Sequence, residues 1–212
     1  MPTDQPRRGD ARRTQAERRA DSERRLLLAT AELIVERGLE NTSLADIGRR
    51  AGASHAAVNH RFGSKDELVD RVVDEASVFY VRAARERIGR HTGYDALVDM
   101  CMLYLDLVDG PDPLGRVHIV LWSAAVAHTA PHRSTHLDMD RTFRTFLGGL
   151  ITQGIEDGTI DPRVDVHDLA ITIVGMLRGV SMQLLLDPDG LDLAAAKDVM
   201  TTLLARSLLI EA

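Results

Sequence analysis

The feature that most constrains this fold is a series of helical runs separated by glycine and proline. Apolar residues recur at spacings of three and four, which indicates amphipathic helices, and no run shows the convincing alternation typical of a strand. The breaks fall at Gly38, Gly93, 110–113, Pro131, 157–162 and 187–190. The pattern predicts an all-α chain, with longer helices near 15–37, 64–90, 94–109, 113–128, 131–157, 165–186 and 192–210.

Residues 42–62 predict two short helices joined by a tight turn. Ser43 can cap the first helix, and Ser54 can cap the second. Gly52 supplies the turn, where a side chain would restrict the backbone. The apolar residues of both helices share an inner face, and they are Leu44, Ile47, Ala51, Val58 and Phe62.

The outer face of the second short helix predicts a DNA-binding surface. Its residues are small or can donate hydrogen bonds, and they begin at the helix N-terminus, where a recognition helix meets bases and phosphates. They are His55, Ala56, Ala57, Asn59, His60 and Arg61. Ser64 and Glu67 predict a capping box for the next helix, and Lys65 in its first turn can reach a phosphate.

The segment from Arg24 to Asp74 resembles the DNA-binding domain of the TetR family of regulators. The matching features are the helix ending at Gly38, Thr42-Ser43, Asp46-Ile47, Ala51-Gly52-x-Ser54 and Phe62-Gly63-Ser64-Lys65. Asn59 and Arg61 depart from the family, which often has Tyr at the first position and Tyr or His at the second. The resemblance implies DNA contacts from Thr42, Ser43, His55, Ala56, Ala57, Asn59, His60, Arg61 and Lys65.

The resemblance also implies a nine-helix plan and a function. We expect a basic flexible tail over 1–20, a three-helix helix-turn-helix domain over 21–66 with its motif at 43–62, and a helical ligand-binding and dimerisation domain over 67–212. Such a protein would be a repressor released from a palindromic operator by a small molecule. The alternatives are a ligand-independent or activating regulator and a helical interaction module that does not read DNA.

Charge is distributed unevenly along the chain, whose formal net charge is −6. Residues 1–65 hold 13 Lys and Arg against 9 Asp and Glu, a net of +4, and residues 66–212 hold 13 against 23, a net of −10. A basic head on an acidic body suits a protein that presents one end to phosphates. The alternative is chance clustering of solvated charge.

The last two helices predict a homodimer interface. The run 168–186 is apolar nearly all round, and the final helix carries Val199, Leu203 and Ile210, with Leu204 and Leu208 on a neighbouring face. The family resemblance implies that this pair forms a four-helix interface between two protomers. The alternative is an ordinary core within one chain.

The family resemblance implies that the helices between 94 and 157, with part of the next one, surround a ligand pocket. Aromatic rings with a polar handle suit an apolar or amphipathic small molecule. The residues expected to line the site are Tyr104, His118, Trp122, Met139, Phe143 and Met176. The alternative is that this aromatic and methionine stripe is core.

Other classes of function find little support in the sequence. His128, His132 and His136 are spaced for one helix face, but Pro131 lies inside the series, so we expect no metal. No nucleotide or serine-nucleophile motif appears, so we expect neither enzyme activity nor a cofactor. The single Cys101 fits a reducing cytoplasm. No segment is expected to span a membrane, since Arg178 and Gln183 interrupt the most apolar run.

Overall fold

The computed structural model describes residues 14–126 and 132–209. Those residues form nine helices and no strand, which confirms the predicted all-α class. The helices are α1 Gln15–Arg37, α2 Leu44–Ala51, α3 His55–Phe62, α4 Lys65–Ile88, α5 Gly93–Asp109, α6 Pro113–Ala124, α7 Arg133–Glu156, α8 Val166–Leu186 and α9 Leu193–Leu208. Residues 1–13 of the expected tail, as well as His128, Pro131 and Ile210, lie outside the described residues. Residues 15–20 already belong to α1.

Hydroxyl side chains start the N-terminal helices, as their sequence predicts. Thr14 forms a full capping box with Glu17, and Ser43 and Ser54 each accept a hydrogen bond from a first-turn backbone N–H, at 3.2 and 3.1 Å. Only one of the two hydrogen bonds of the capping box predicted at Ser64 is present. Glu67 N–H donates to the Ser64 hydroxyl at 3.1 Å, whereas the Ser64 N–H donates to the Phe62 carbonyl at 2.8 Å. Each cap satisfies a backbone donor that the helix itself leaves unpaired.

Two hydrophobic clusters hold the molecule together. The head cluster holds residues of helices α1, α2, α3, α4 and α6, among them Ile34, Ile47, Val58, Leu68 and Val72. The body cluster joins the later helices and includes Leu97, Leu105, Leu147, Ile173 and Leu204. Burying such side chains stabilises a fold by about 1.5–3 kcal/mol each. The division of the chain at 66/67 stays a prediction, because α4 runs through that point without interruption.

Helix α6 takes part in both clusters. Leu114, Val117 and Leu121 lie on one of its faces and are buried in the head cluster. Ile119, on another face, is buried in the body cluster. A movement of α6 therefore changes packing in the head and in the body together.

Helix α8 contains the most apolar run of the sequence, for which no membrane span is expected. By length and composition Val166–Leu186 qualifies as a candidate span, with a mean hydropathy of 1.8, although only 33% of that window is buried. This is weak support for a membrane span, because the core helix of a soluble protein passes the same test. Arg178 places a charge within this apolar helix, and its guanidinium is mostly buried and paired with Asp140.

Candidate DNA interface and candidate ligand site

Helix α3 presents a continuous outer surface. His55, Ala56, Ala57, Asn59 and His60 are all exposed. Its inner face is anchored, because Val58 and Phe62 are buried in the head cluster. The predicted inner and outer faces are therefore placed as the spacing of apolar residues requires.

The turn between α2 and α3 depends on two glycines. Gly52 adopts φ 69° in the left-handed region, which favours glycine. A Cβ on Gly48 would lie 2.8 Å from the Ala53 carbonyl oxygen, so α2 and the turn approach more closely than a side chain permits. Both positions fix the angle at which α3 leaves α2.

Helix α2 is tied to α1 by one arginine. Arg50 donates from Nη1 to Glu32 at 2.9 Å and from Nη2 to Glu36 at 2.7 Å. The hydrogen bond from Arg50 lowers the pKa of the Glu36 carboxyl. The pairs are largely solvated, so they orient α2 more than they stabilise the fold.

Three residues expected to contact DNA make bonds within the head. Thr42 is only 2% exposed, and its hydroxyl donates to the Gly38 carbonyl at 2.9 Å. The Lys65 ammonium donates to the Leu39 carbonyl at 2.6 Å. Arg61 donates from Nη1 to the Arg19 carbonyl at 3.4 Å. Their DNA contacts stay predictions, as does that of Ser43, whose hydroxyl caps α2.

Four of the residues expected to line a ligand site gather in the body. His118 Nε2 lies 2.9 Å from the Tyr104 hydroxyl, and the Tyr104 ring stacks on Phe143 at 5.6 Å between centroids. Trp122, four residues after His118 on α6, lies under the Arg178 guanidinium, 4.2 Å from its ring centroid. These four residues belong to a group of eight that we call the inner cluster, and its other four members are described next.

Four members of the inner cluster were not predicted. Tyr80 packs its ring 4.7 Å from His118. Arg178 donates to Asp140, and their side chains are only 14% and 13% exposed. His136 is 4% exposed and close enough to Arg178 that this charge helps to lower its pKa. The inner cluster thus comprises Tyr80, Tyr104, His118, Trp122, His136, Asp140, Phe143 and Arg178.

The signals that could have found these residues lie in the spacing and in one isolated charge. His136, Asp140 and Phe143 stand at i, i+4 and i+7, which places them on one face of α7. Arg178 is the only charge between Asp168 and Leu186. A charge inside an apolar helix needs a buried partner, so it predicts a functional or structural site.

Both imidazoles of the inner cluster are held neutral. Burial, followed by the Arg178 charge, lowers the pKa of His118 to about 3. Burial, followed by the charge of His132, lowers the pKa of His136 to about 4. Burial likewise raises the pKa of Tyr104 above its ordinary value, although the Arg178 charge opposes that shift. At neutral pH the site therefore offers uncharged rings around one guanidinium.

The remaining predicted residues are placed elsewhere. Met139 packs against the head cluster and Met176 against the body cluster, and their ligand contacts stay predictions. Cys101 is buried in the body cluster, where burial raises its pKa to about 12. Within residues 14–126 and 132–209, no three His, Cys, Asp or Glu side chains are grouped to hold a metal ion.

A capped helix of eight residues, projecting from a glycine turn after another helix of eight, defines a helix-turn-helix DNA-binding protein. Comparison with known proteins supports the same class. The family model described as "Bacterial regulatory proteins, tetR family" matches residues 26–72, and the model described as "BetI-type transcriptional repressor, C-terminal" matches residues 94–209. The second match alone covers more than half of the chain. The chain therefore belongs to the TetR family, and it is a DNA-binding transcriptional repressor.

Three similar proteins illustrate the likeness. The HTH-type transcriptional repressor KstR2 of Rhodococcus jostii (strain RHA1) is 26% identical over 148 residues, which are 67% of this chain and 69% of that protein. A putative transcriptional regulator from Saccharomonospora viridis in complex with choline has a TM-score of 0.79 at 18% identity, covering 91% of this chain and 100% of the other. AibR in complex with isovaleryl coenzyme A and operator DNA has a TM-score of 0.71 at 23% identity, covering 86% and 97%. At these identities the two structures show a shared fold.

Proposed function

We propose that this repressor binds a palindromic operator through α3 as a homodimer, and that a small molecule in the inner cluster releases it. The observation that carries the proposal is the double role of α6. One face of α6 completes the head cluster through Leu114, Val117 and Leu121, and the same helix brings His118 and Trp122 to the inner cluster. A ligand that displaces α6 thereby repacks the support of α3.

DNA binding is assigned to the exposed face of α3. Asn59 and His60 can donate to base edges or phosphates, and Ala56 and Ala57 leave room for close approach. Lys65 already holds the Leu39 carbonyl, so it adds a positive charge near the phosphates with little loss of side-chain freedom. The likeness to AibR, which was solved with operator DNA, supports this assignment.

The dimer is assigned to the outer faces of α8 and α9. One face of each helix belongs to the body cluster, whereas the other leaves large apolar side chains in solvent, namely Ile171, Met182, Leu186, Val199 and Leu203. Such a patch is typical of a protein interface. Two recognition helices then read two half-sites about 34–36 Å apart. The buried faces of α8 and α9 belong to the core of one chain, and the interface is proposed for their exposed faces.

The ligand is expected to be a small organic molecule, and the protein to act in the cytoplasm with no catalytic activity of its own. The structures named above were solved with choline and with isovaleryl coenzyme A, two molecules of very different size and charge. Ligand identity therefore has to be argued from the inner cluster of this chain.

Fluorescence anisotropy on promoter fragments tests the DNA-binding half of the proposal. His60→Ala should weaken specific binding by about 1–3 kcal/mol if the imidazole reads a base. His91→Ala, a change at an exposed histidine of the α4–α5 turn, is the matched control and should leave binding unchanged. Equal operator affinity in both variants would remove His60 from the interface. Binding that is tight but insensitive to every small molecule would instead favour a ligand-independent regulator.

A further inference from the structure

The inner cluster has properties that select among classes of ligand. We propose that the ligand carries a carboxylate, which binds the Arg178 guanidinium, and an apolar body, which lies against the Tyr104 and Phe143 rings. This inference rests on the proposed function for the location of the ligand site. It goes further by assigning the charge and the chemical group of the ligand.

The features that would attract a cation are already occupied by the chain itself. A quaternary ammonium group is normally held by aromatic faces and a nearby carboxylate. Here the face of Trp122 is covered by the Arg178 guanidinium at 4.2 Å. The Asp140 carboxylate is paired with Arg178 and, through its other oxygen, with Arg144 Nη2 at 2.6 Å. A cationic ligand would have to displace a buried arginine and would then lie beside it.

The groups that are still available favour an anion. Within the described part of the chain, Arg178 Nε is buried and makes no hydrogen bond, and the same holds for His136 Nε2 and His118 Nδ1. Asp140 carries one negative charge against the two positive charges of Arg178 and Arg144, and both imidazoles are neutral at pH 7. A carboxylate can accept from Nε of the guanidinium and from a ring N–H, which satisfies donors that are otherwise costly to bury.

The pairing of Asp140 lets Arg178 exchange partners. If Arg178 turns toward a ligand carboxylate, Asp140 keeps its bond to Arg144 and is not left as an unpaired buried charge. Arg178 lies on α8 and Asp140 on α7, whereas Trp122 belongs to α6. Exchange of the arginine therefore changes contacts among three helices at once, one of which supports the head.

The single tryptophan of the chain gives a direct readout. Trp122 is the only tryptophan in the sequence, so its emission reports the position of the Arg178 guanidinium without a label. The probes are three molecules of similar shape: 4-phenylbutyrate, 4-phenylbutyramide and 3-phenylpropyl-trimethylammonium. We expect 4-phenylbutyrate to change the emission and to bind about 10- to 100-fold more tightly than the amide, since a charged carboxylate accepts a stronger hydrogen bond from the guanidinium than a neutral amide oxygen does.

Variants of Arg178 provide the decisive comparison. Arg178→Met should reduce affinity for 4-phenylbutyrate by at least about 10-fold and reduce affinity for the amide much less. Arg178→Lys, which keeps a charge for Asp140 if the methionine variant does not fold, should give an intermediate loss. The matched control is Arg163→Met, a change at an exposed arginine of the α7–α8 turn, which should bind as the unaltered protein does.

Two results would overturn the assignment of a carboxylate. One is tighter binding of the trimethylammonium probe than of the carboxylate, and the other is equal affinity for acid and amide in the presence of Arg178. Because these titrations contain no DNA, they are separate from the release of the operator. A carboxylate that binds through Arg178 but does not lower DNA affinity would refute the proposed function and leave this inference standing.

Discussion

The two neutral imidazoles of the inner cluster predict a specific loss of stability in mild acid. In the unfolded chain a histidine has a pKa of about 6.5. In the folded protein the pKa of His118 is about 3 and that of His136 about 4. Between those values and 6.5 the unfolded state binds more protons than the folded state. Stability is therefore complete above pH 6.5 and is lost as the pH falls toward 3.

The magnitude follows from the proton uptake of the unfolded chain. Between pH 7 and pH 5 each imidazole is protonated on unfolding but not in the folded protein, which lowers the free energy of unfolding by about 2 kcal/mol per residue. Because the domain has only about 5–15 kcal/mol of net stability, a loss near 4 kcal/mol is readily measured. Urea denaturation followed by circular dichroism at pH 7, 6 and 5 gives the slope directly.

Variants separate this cause from general acid effects. His118→Asn and His136→Asn each remove one titrating ring, so each should roughly halve the loss between pH 7 and pH 5. His55→Asn alters an exposed histidine on α3 and should keep the full loss. If all three variants lose the same stability as the unaltered protein, or if the unaltered protein loses none, the two imidazoles are not held neutral by burial.

Four further substitutions test packing, assembly and DNA binding. Gly115→Ala should destabilise the fold by about 3 kcal/mol in urea denaturation, because a Cβ would lie 1.8 Å from the Leu107 carbonyl oxygen. Gly149→Ala is the control: open space surrounds Gly149, so the alanine should stabilise α7 by about 0.5–1 kcal/mol. Leu203→Glu, at a side chain 50% exposed, should yield folded monomers at micromolar concentration in analytical ultracentrifugation, and a dimer that persists would place the interface elsewhere. Lys65→Ala should weaken binding to all DNA sequences and reduce the salt slope by about one, and an unchanged slope would remove its phosphate contact.

Local signals predicted the head better than the body. Ser54, Gly52 and the inward Val58 each act within a few residues of chain, so their roles are legible in the sequence. The structure adds what local signals cannot give. Lys65, expected only near a phosphate, also bonds the Leu39 carbonyl, 26 residues away in sequence.

The inner cluster shows the same limit more strongly. His118 and Trp122 were found because they are four residues apart on one helix. Arg178 and Asp140 are 38 residues apart, and their pairing depends on how α7 and α8 pack, which one sequence without relatives does not reveal. Arg178 was noted only as an interruption in an apolar run, although a buried charge is itself the clearest sign of a site.

The two faces of α6 also have an evolutionary consequence. If the inner cluster binds the ligand as proposed, substitutions at His118 or Trp122 would alter what the body recognises while the side chains of Leu114, Val117 and Leu121 stay in the head cluster. Recognition of a new effector can therefore arise by single mutations without a loss of operator binding in between. In a genetic selection, uninducible mutants should map to His118 and Trp122, and mutants that no longer hold DNA should map to Leu114, Val117 and Leu121.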